Sequence, residues 1–484
     1  MERSFLMRMM YVAILFAGFL SGCAGTGDWS SDAPTKASAK ASRAARVNLK
    51  NQSVSKFYAP SYNLWLRIRD GFQMKPMNTP LEIEQVRWLA ARPDYVNRSM
   101  TRSSRYLFYI VQEVNARNMP TEIALLPFVE SAFVTNAKSS AKAVGLWQFM
   151  PATGKDFRLT QNVFRDERRD VLQSTDAALD YLQRLNNQFG SWELALAAYN
   201  WGAGNIAKAQ KRNAAAGLPT NYESLTLPRE TRNYVPKLMA YRQIVLDPQS
   251  YGIVLPELEN HPYFVALDVG GDIDVALAIR LAEIPADEFH SLNPSFNKPV
   301  ILSNANQQIL LPFAHAEIFQ ANLKQYTKPL STWTAVQVSK TESVDQAAKT
   351  LGVDVDALRE VNGIPKGMRI KAGSTVLIPK TRRRLGDVST AIAENARLSL
   401  EKPAPPAPKC PKTVKGSKGG KSAKCAPPVT TKTADKPGSK GNSSGKNAAS
   451  QHKSASTGLV KSAKNGNSPI SASNNASKWV NKSQ

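Results

Sequence analysis

The sequence predicts a mainly α protein: a helical domain, then two small α+β modules, then a disordered tail. Three observations carry that prediction. Apolar residues recur at helical spacing from Tyr62 to Val245, as in Leu107, Ile110, Val111 and Val114 at i, i+3, i+4 and i+7. After Pro248, Gly252, Pro256 and Pro262 break that pattern, a repeat begins that reads strand, helix, helix, strand. From Arg382-Arg383-Arg384 onward aromatics are absent except for Trp479, and Lys alternates with Ser, Gly, Pro and Asn, a composition that cannot bury enough apolar surface to fold.

The first residues carry Arg3 and Arg8, an apolar run from Met9 to Leu20, and then Leu20-Ser21-Gly22-Cys23. This reads as a signal peptide over 1–22 that ends in a lipoprotein-type cleavage box. A run of this length falls short of the ~20 residues needed to span a bilayer. Cys23 is then the lipidation site, because several acyl chains anchor stably where one does not. Ala24 follows Cys23, and by resemblance to lipoprotein sorting rules it directs the chain to the outer membrane, facing the periplasm of a bacterial cell envelope. Residues 23–60 are small, polar and basic and read as a flexible tether.

A helical lead-in covers 61–119, through Leu64-Trp65-Leu66, Leu81 to Arg92 and Tyr106 to Arg117. Trp65 and Trp88 lie on apolar stripes and read as core residues in preference to sugar platforms. A domain over 120–247 follows. Its central run, Ile123-Ala124-Leu125-Leu126-Pro127-Phe128-Val129-Glu130-Ser131, places one carboxylate at the end of an apolar stretch. Pro127 predicts a helix that kinks or ends close to Glu130. Apolar packing disfavours the charged carboxylate and keeps a proton available near neutral pH, as a general acid requires. The loop Gly145-Leu146-Trp147-Gln148-Phe149-Met150-Pro151 combines an aromatic, an amide and a thioether suited to a sugar ring. A third element, Ala197-Ala198-Tyr199-Asn200-Trp201-Gly202-Ala203-Gly204, ends a helical run, with Gly202 and Gly204 as stop signals. The fourth is Glu230-Thr231-Arg232-Asn233-Tyr234-Val235.

Four such elements in this order, across roughly a hundred residues, resemble the family 1 lytic transglycosylase catalytic domain, whose fold is that of goose-type lysozyme. The lead-in is similar to that of a membrane-bound group in the same family. The resemblance implies that Glu130 is the catalytic acid/base, that Ser131, Gln148 and Met150 line the glycan cleft, that Tyr199 and Asn200 meet substrate, and that Tyr234 lies near the Glu130 carboxylate. For Ser131, Met150 and Tyr199 a packing role is the alternative. The implied activity is cleavage of the β-1,4 bond between N-acetylmuramic acid and N-acetylglucosamine without water, leaving 1,6-anhydro ends, in cell-wall remodelling and turnover. A lysozyme-like hydrolase would need a second carboxylate, for which Asp156, Asp166, Glu167 and Asp170 are candidates. A third reading is a non-catalytic peptidoglycan-binding scaffold.

In the repeat, Phe264-Val265-Ala266-Leu267 matches Trp333-Thr334-Ala335-Val336, and at the same offset of 69 Val275 meets Val344, Ala278 meets Ala347 and Asn293 meets Asn362. The closing Leu311-Pro312 matches Ile378-Pro379 at an offset of 67. The copies, 263–313 and 332–380, resemble the LysM module that binds N-acetylglucosamine-containing glycans. Both depart from its usual first loop, with Asp272-Ile273-Asp274-Val275 in the first and Thr341-Glu342-Ser343-Val344 in the second. The first copy is therefore the degenerate one, open to a reading as a spacer.

The net charge is +25, and from residue 401 onward sixteen Lys stand against one Glu and one Asp, so that stretch supplies fourteen of those charges and most of the excess lies in the tail over 385–484. Such a tail suits peptidoglycan carboxylates or anionic lipids, or it is simply solvated. A secreted chain without a reading motif excludes nucleic acid as partner. Cys410 and Cys425 could pair in an oxidising compartment. The four histidines, His261, His290, His315 and His452, lack ligand spacing, so no metal and no cofactor are expected.

Overall fold

The structure is a computed structural model, and it describes residues 63–403 apart from 306, 307 and 383. Cys23, the tether, Cys410, Cys425 and residues 404–484 of the basic tail lie outside the described residues. Residues 385–403, read from composition as the start of a disordered tail, are instead ordered, because Val388, Ala393 and Ala396 are buried in a shared apolar core.

Local signals set the helix ends. α1 (Leu64–Asp70) begins at Asn63, whose side chain accepts from the Trp65 N–H at 2.8 Å. α2 (Pro80–Ala90) has Thr79 as its cap and Pro80 in its first turn, while Glu82 reaches back to the Asn78 N–H at 2.8 Å. α3 (Pro93–Ser103) has no counterpart in the sequence pattern; Pro93 both ends α2's continuation and opens α3. α4 (Leu107–Ala116) leads into a 3-10 turn, Thr121–Leu125, and then the short α5 (Leu126–Glu130). α6 (Pro151–Asp156), α7 (Val171–Phe189), α8 (Trp192–Trp201), α9 (Ala203–Ala215) and α10 (Arg229–Leu246) complete the helical domain. The two expected stop glycines differ in what they do. Gly202, at φ 97°, closes α8 and opens α9, a conformation that suits glycine. Gly204 lies inside α9.

One apolar core takes Trp65 and Ile68 from α1, Met100 from α3, Ile110 and Val111 from α4, Phe128 from α5, Leu182 from α7 and Leu238 from α10. The lead-in helices and the helices around Glu130 thus share a single interior. Trp65 is buried and its indole N–H donates to the Pro256 carbonyl at 2.9 Å. Trp88 corrects the expectation of a core residue: it is 44% exposed on α2. No helix among the described residues is long and apolar enough to cross a membrane.

The repeat folds twice. The first module comprises β1 (Phe264–Asp268), β2 (Ile273–Asp274), α11 (Val275–Ala282), α12 (Ala286–Leu292), β3 (Val300–Ile301) and β4 (Gln308–Pro312). α13 (Phe313–Gln325) adds buried Ala316 and Phe319 to the same core, so the packing unit extends past residue 313. The second comprises β5 (Trp333–Gln337), β6 (Glu342–Ser343), α14 (Val344–Leu351), α15 (Val355–Asn362), β7 (Arg369–Ile370) and β8 (Thr375–Pro379). β1 pairs antiparallel with β4 from Phe264↔Pro312 to Asp268↔Gln308, and β5 with β8 from Trp333↔Pro379 to Gln337↔Thr375. The matched asparagines do identical work. Asn293 exchanges 2.8 Å hydrogen bonds with the N–H and carbonyl of Leu310, and Asn362 does so with Leu377, each pinning the second helix to the closing strand.

The modules differ at the first loop. In the second, Lys340, Thr341, Ser343, Gly367 and Arg369 help line an open cavity of about 540 Å³. In the first, the equivalent loop is engaged by the chain itself. Asp274 accepts from the Thr332 N–H at 3.0 Å and hydroxyl at 2.7 Å, and its own N–H donates to the Leu330 carbonyl at 3.0 Å. Buried Asp272 accepts from the Val388 N–H at 2.7 Å. The segment beyond Val388, with α16 (Thr390–Asn395) and β9 (Leu400–Glu401), then crosses to pair β9 with β7. The first module also docks on the helical domain: Arg105 pairs with Glu288 at 2.6 Å, the Tyr106 hydroxyl donates to Ser291 O at 2.9 Å, and the Asn297 N–H donates to Phe164 O at 2.7 Å.

Candidate active site

α5 is a single turn that ends at Glu130, as the Pro127 reading expects. Beyond it the backbone bends sharply, with Ala132 at φ 49° and Phe133 at φ 58°. Two non-glycine residues in this region persist only where neighbours over-determine them. Phe133 meets the Phe128 ring at 4.5 Å, and the Arg102 guanidinium donates to Ala132 O at 3.0 Å. Glu130 is therefore held at a fixed corner, half-buried, with the Tyr234 hydroxyl of α10 donating to its carboxylate.

The loop carrying Gln148 and Met150 is backed by Arg168. Its guanidinium donates to Lys142 O at 3.0 Å and Phe149 O at 3.2 Å and pairs with Asp166 at 2.8 Å. Gly145, at φ 88°, passes so close that a Cβ would stand 2.1 Å from Arg168 O, so only glycine fits. The Ser131 hydroxyl donates to Leu146 O at 3.0 Å and thereby ties this loop to the end of α5. Gln148, at φ 47° and half-buried, donates to Gly145 O at 2.8 Å. Met150 is 42% exposed at the head of α6. Trp147, whose sequence setting suggests a stacking aromatic, is fully buried, and its indole N–H donates to the Thr175 hydroxyl at 3.0 Å. It is a packing residue.

The other wall comes from α8 and α10. The Tyr199 hydroxyl donates to Trp147 O at 2.8 Å, and burial pushes it well above the usual phenol range, with the Glu130 charge adding to the effect. Asn200 is clamped from two sides: its Oδ1 accepts from the Thr231 hydroxyl at 2.8 Å and its Nδ2 donates to Glu230 at 3.4 Å. The structure thus gathers Glu130, Tyr199 and Tyr234 at one point, sets Asn200 with Glu230 beside them, and puts Ser131, Gln148 and Met150 on the adjoining loop.

Burial pushes the Glu130 carboxyl up to about 7. The Tyr234 hydrogen bond opposes that rise, the Glu230 carboxylate adds to it, and Lys237 opposes it. The carboxylates near in sequence are engaged elsewhere. Asp166 pairs with Arg168, Glu167 accepts from the Thr160 N–H at 2.7 Å, and Asp170 caps α7. Asp156 is exposed at the end of α6. Glu230 is the carboxylate that acts on Glu130, a role the sequence reading missed. Its signal was the i, i+4 interval from Glu230 to Tyr234, which puts both on one helix face.

A model of the transglycosylase SLT domain matches residues 109–218, and one of the lytic transglycosylase MltD LysM-like domain matches residues 263–328. Over 404 residues the chain is 32% identical to membrane-bound lytic murein transglycosylase D of Escherichia coli strain K12, spanning 80% of this chain and 89% of that one. The same values hold for the protein of that name from E. coli O6:H1. Among solved structures, the 70 kDa soluble lytic transglycosylase SLT70 of E. coli is similar at 20% identity with a TM-score of 0.24, covering 35% of this chain and 31% of that one.

Proposed function

Since the chain belongs to the family of membrane-bound lytic murein transglycosylase D, we infer that its chemistry runs through Glu130 alone. It is a peptidoglycan lytic transglycosylase of the cell envelope, with a helical lysozyme-like domain and a LysM-like region. The observation that carries the residue assignment is a half-buried carboxyl raised to about 7, in contact with one phenol and, among the described residues, with no cation bonded to it.

In its acid form Glu130 donates its proton to the glycosidic oxygen as the bond to the muramic acid C1 breaks. The substrate's acetamido oxygen bonds to C1 and stabilises the cationic centre. Glu130, now a carboxylate, takes the proton of the C6 hydroxyl, whose oxygen bonds to C1 and displaces the acetamido oxygen. The products are a free N-acetylglucosamine hydroxyl and a 1,6-anhydro muramic end. No water is consumed. A group that acts as acid and then as base works best with its pKa near the working pH. Tyr234 orients the carboxylate, and the clamped Asn200, with Gln148, Met150, Ser131 and Tyr199, shapes the glycan cleft. The open cavity of the second module holds glycan, while the first module, its loop engaged by Leu330, Thr332 and Val388, serves as a joint. Lipidated Cys23 anchors the chain at the outer membrane, facing the periplasm.

Mass spectrometry of a sacculus digest tests this reading. Products that lack one water are expected; a digest with only reducing ends would instead favour a hydrolase that uses Glu230 as its second carboxylate, and an absence of soluble products a scaffold.

A further inference from the structure

We propose that Trp88 and Tyr95 form a saccharide-stacking subsite at the edge of the Glu130 cleft, built by the lead-in helices. The inference rests on the glycan-cleaving reading above and adds a place where the strand is held. Trp88 presents a large aromatic ring to solvent, 44% exposed, where an indole is costly to leave bare. It is not loose. The Tyr95 ring meets it edge-on at 5.6 Å and 79°. The Arg92 guanidinium lies 4.3 Å from its centroid and is fixed there by donating to Trp88 O at 3.0 Å. An indole braced by two neighbours and still 44% exposed keeps its orientation before any ligand arrives, which lowers the ordering cost of binding.

Three links place this shelf beside the cleft. One turn before Trp88 on α2, Gln85 donates to Asn233 at 3.4 Å, and Asn233 precedes the Tyr234 that touches Glu130. Tyr95 and Ser99 of α3 face the Tyr241 hydroxyl of α10, and the Tyr241 ring stacks on Phe128 of α5 at 4.9 Å. On the same face of α3, Arg102 holds Ala132 O, two residues past Glu130. The ligand suited to such a shelf is a pyranose ring, whose axial C–H face packs on the indole. The guanidinium edge also suits the carboxylates of peptide stems on the same strand.

Hydroxyl-radical footprinting of the full-length Glu130→Gln protein tests the proposal, read by peptide mass spectrometry with and without purified uncross-linked glycan strands. Oxidation of Trp88 is expected to fall by about fivefold or more on binding, alongside that of Met150 in the cleft. Protection of Met150 with Trp88 unchanged would overturn the subsite and leave the active site standing; protection of neither would overturn both. In the active protein, Trp88→Ala should reduce the gain in kcat/KM on lengthening the strand by about tenfold. Trp88→Phe, which keeps an aromatic face, should recover most of it. A length dependence identical in all three proteins, each with unaltered melting, would sink the idea.

Discussion

Glu122 and Glu130 stand eight residues apart on one continuous apolar run, and burial pushes both carboxyls up. Their partners differ. Glu122 is fully buried and accepts from the Gln73 N–H at 3.1 Å, the Met74 N–H at 3.0 Å and the Arg242 guanidinium at 3.1 Å. These donors oppose the desolvation and knit the lead-in to α10. Glu130 has one phenol, and the nearest acid adds to its rise. The same side chain is thus a structural pin where donors saturate it and, on the proposed function, a proton carrier where they do not.

The largest break in this comparison is Glu130→Gln. Turnover measured as anhydro product should fall by about a thousandfold, since the amide has no proton to give. Residual activity within about tenfold of the parent would remove Glu130 from its role.

Glu122→Gln should act on stability, by about 3 kcal/mol in chemical denaturation, because it leaves the guanidinium of Arg242 in the interior without its anion. A midpoint equal to the parent's would show that the pair does not pin the domain.

A third test concerns sign. The folded pKa of Glu130, about 7, lies above its ordinary value of 4.5. Its contribution to stability is then full below about pH 4.5 and is lost as pH rises through about 7. Glu130→Gln does not titrate, so relative to the parent it should gain about 2 kcal/mol between pH 5 and pH 7.5. Parallel stability curves across that window would contradict the raised pKa.

The mildest change is Tyr234→Phe. It removes the donor that favours the ionised carboxylate, so the alkaline limb of the pH–rate profile should move upward while the rate falls about tenfold. A limb that moves down would reverse the assigned role.

What the sequence disclosed follows the range of the interactions involved. Glu130 at a helix end was legible because Pro127 and the apolar run are local signals. The repeat was legible down to Asn293 and Asn362, because each asparagine is set by its own helix and strand. α3 escaped because Pro93 marks an end and a beginning with the same residue, and α9 because Gly202 does likewise. The burial of Trp147 and the backing of its loop by Arg168 depend on contacts made nineteen or more residues away, which no periodicity reports. Trp88 sits on a helix whose stripe looked like core, yet it is 44% exposed.

The first module's occupied loop has one more consequence. Leu330, Thr332 and Val388 sit there as ligands that are covalently attached, and a short tether supplies its occupant at an effective concentration on the order of millimolar. Any glycan that reached this loop would have to compete with an occupant that cannot diffuse away. Duplication here has produced one module whose first loop borders an open cavity and one whose first loop is engaged by the chain itself.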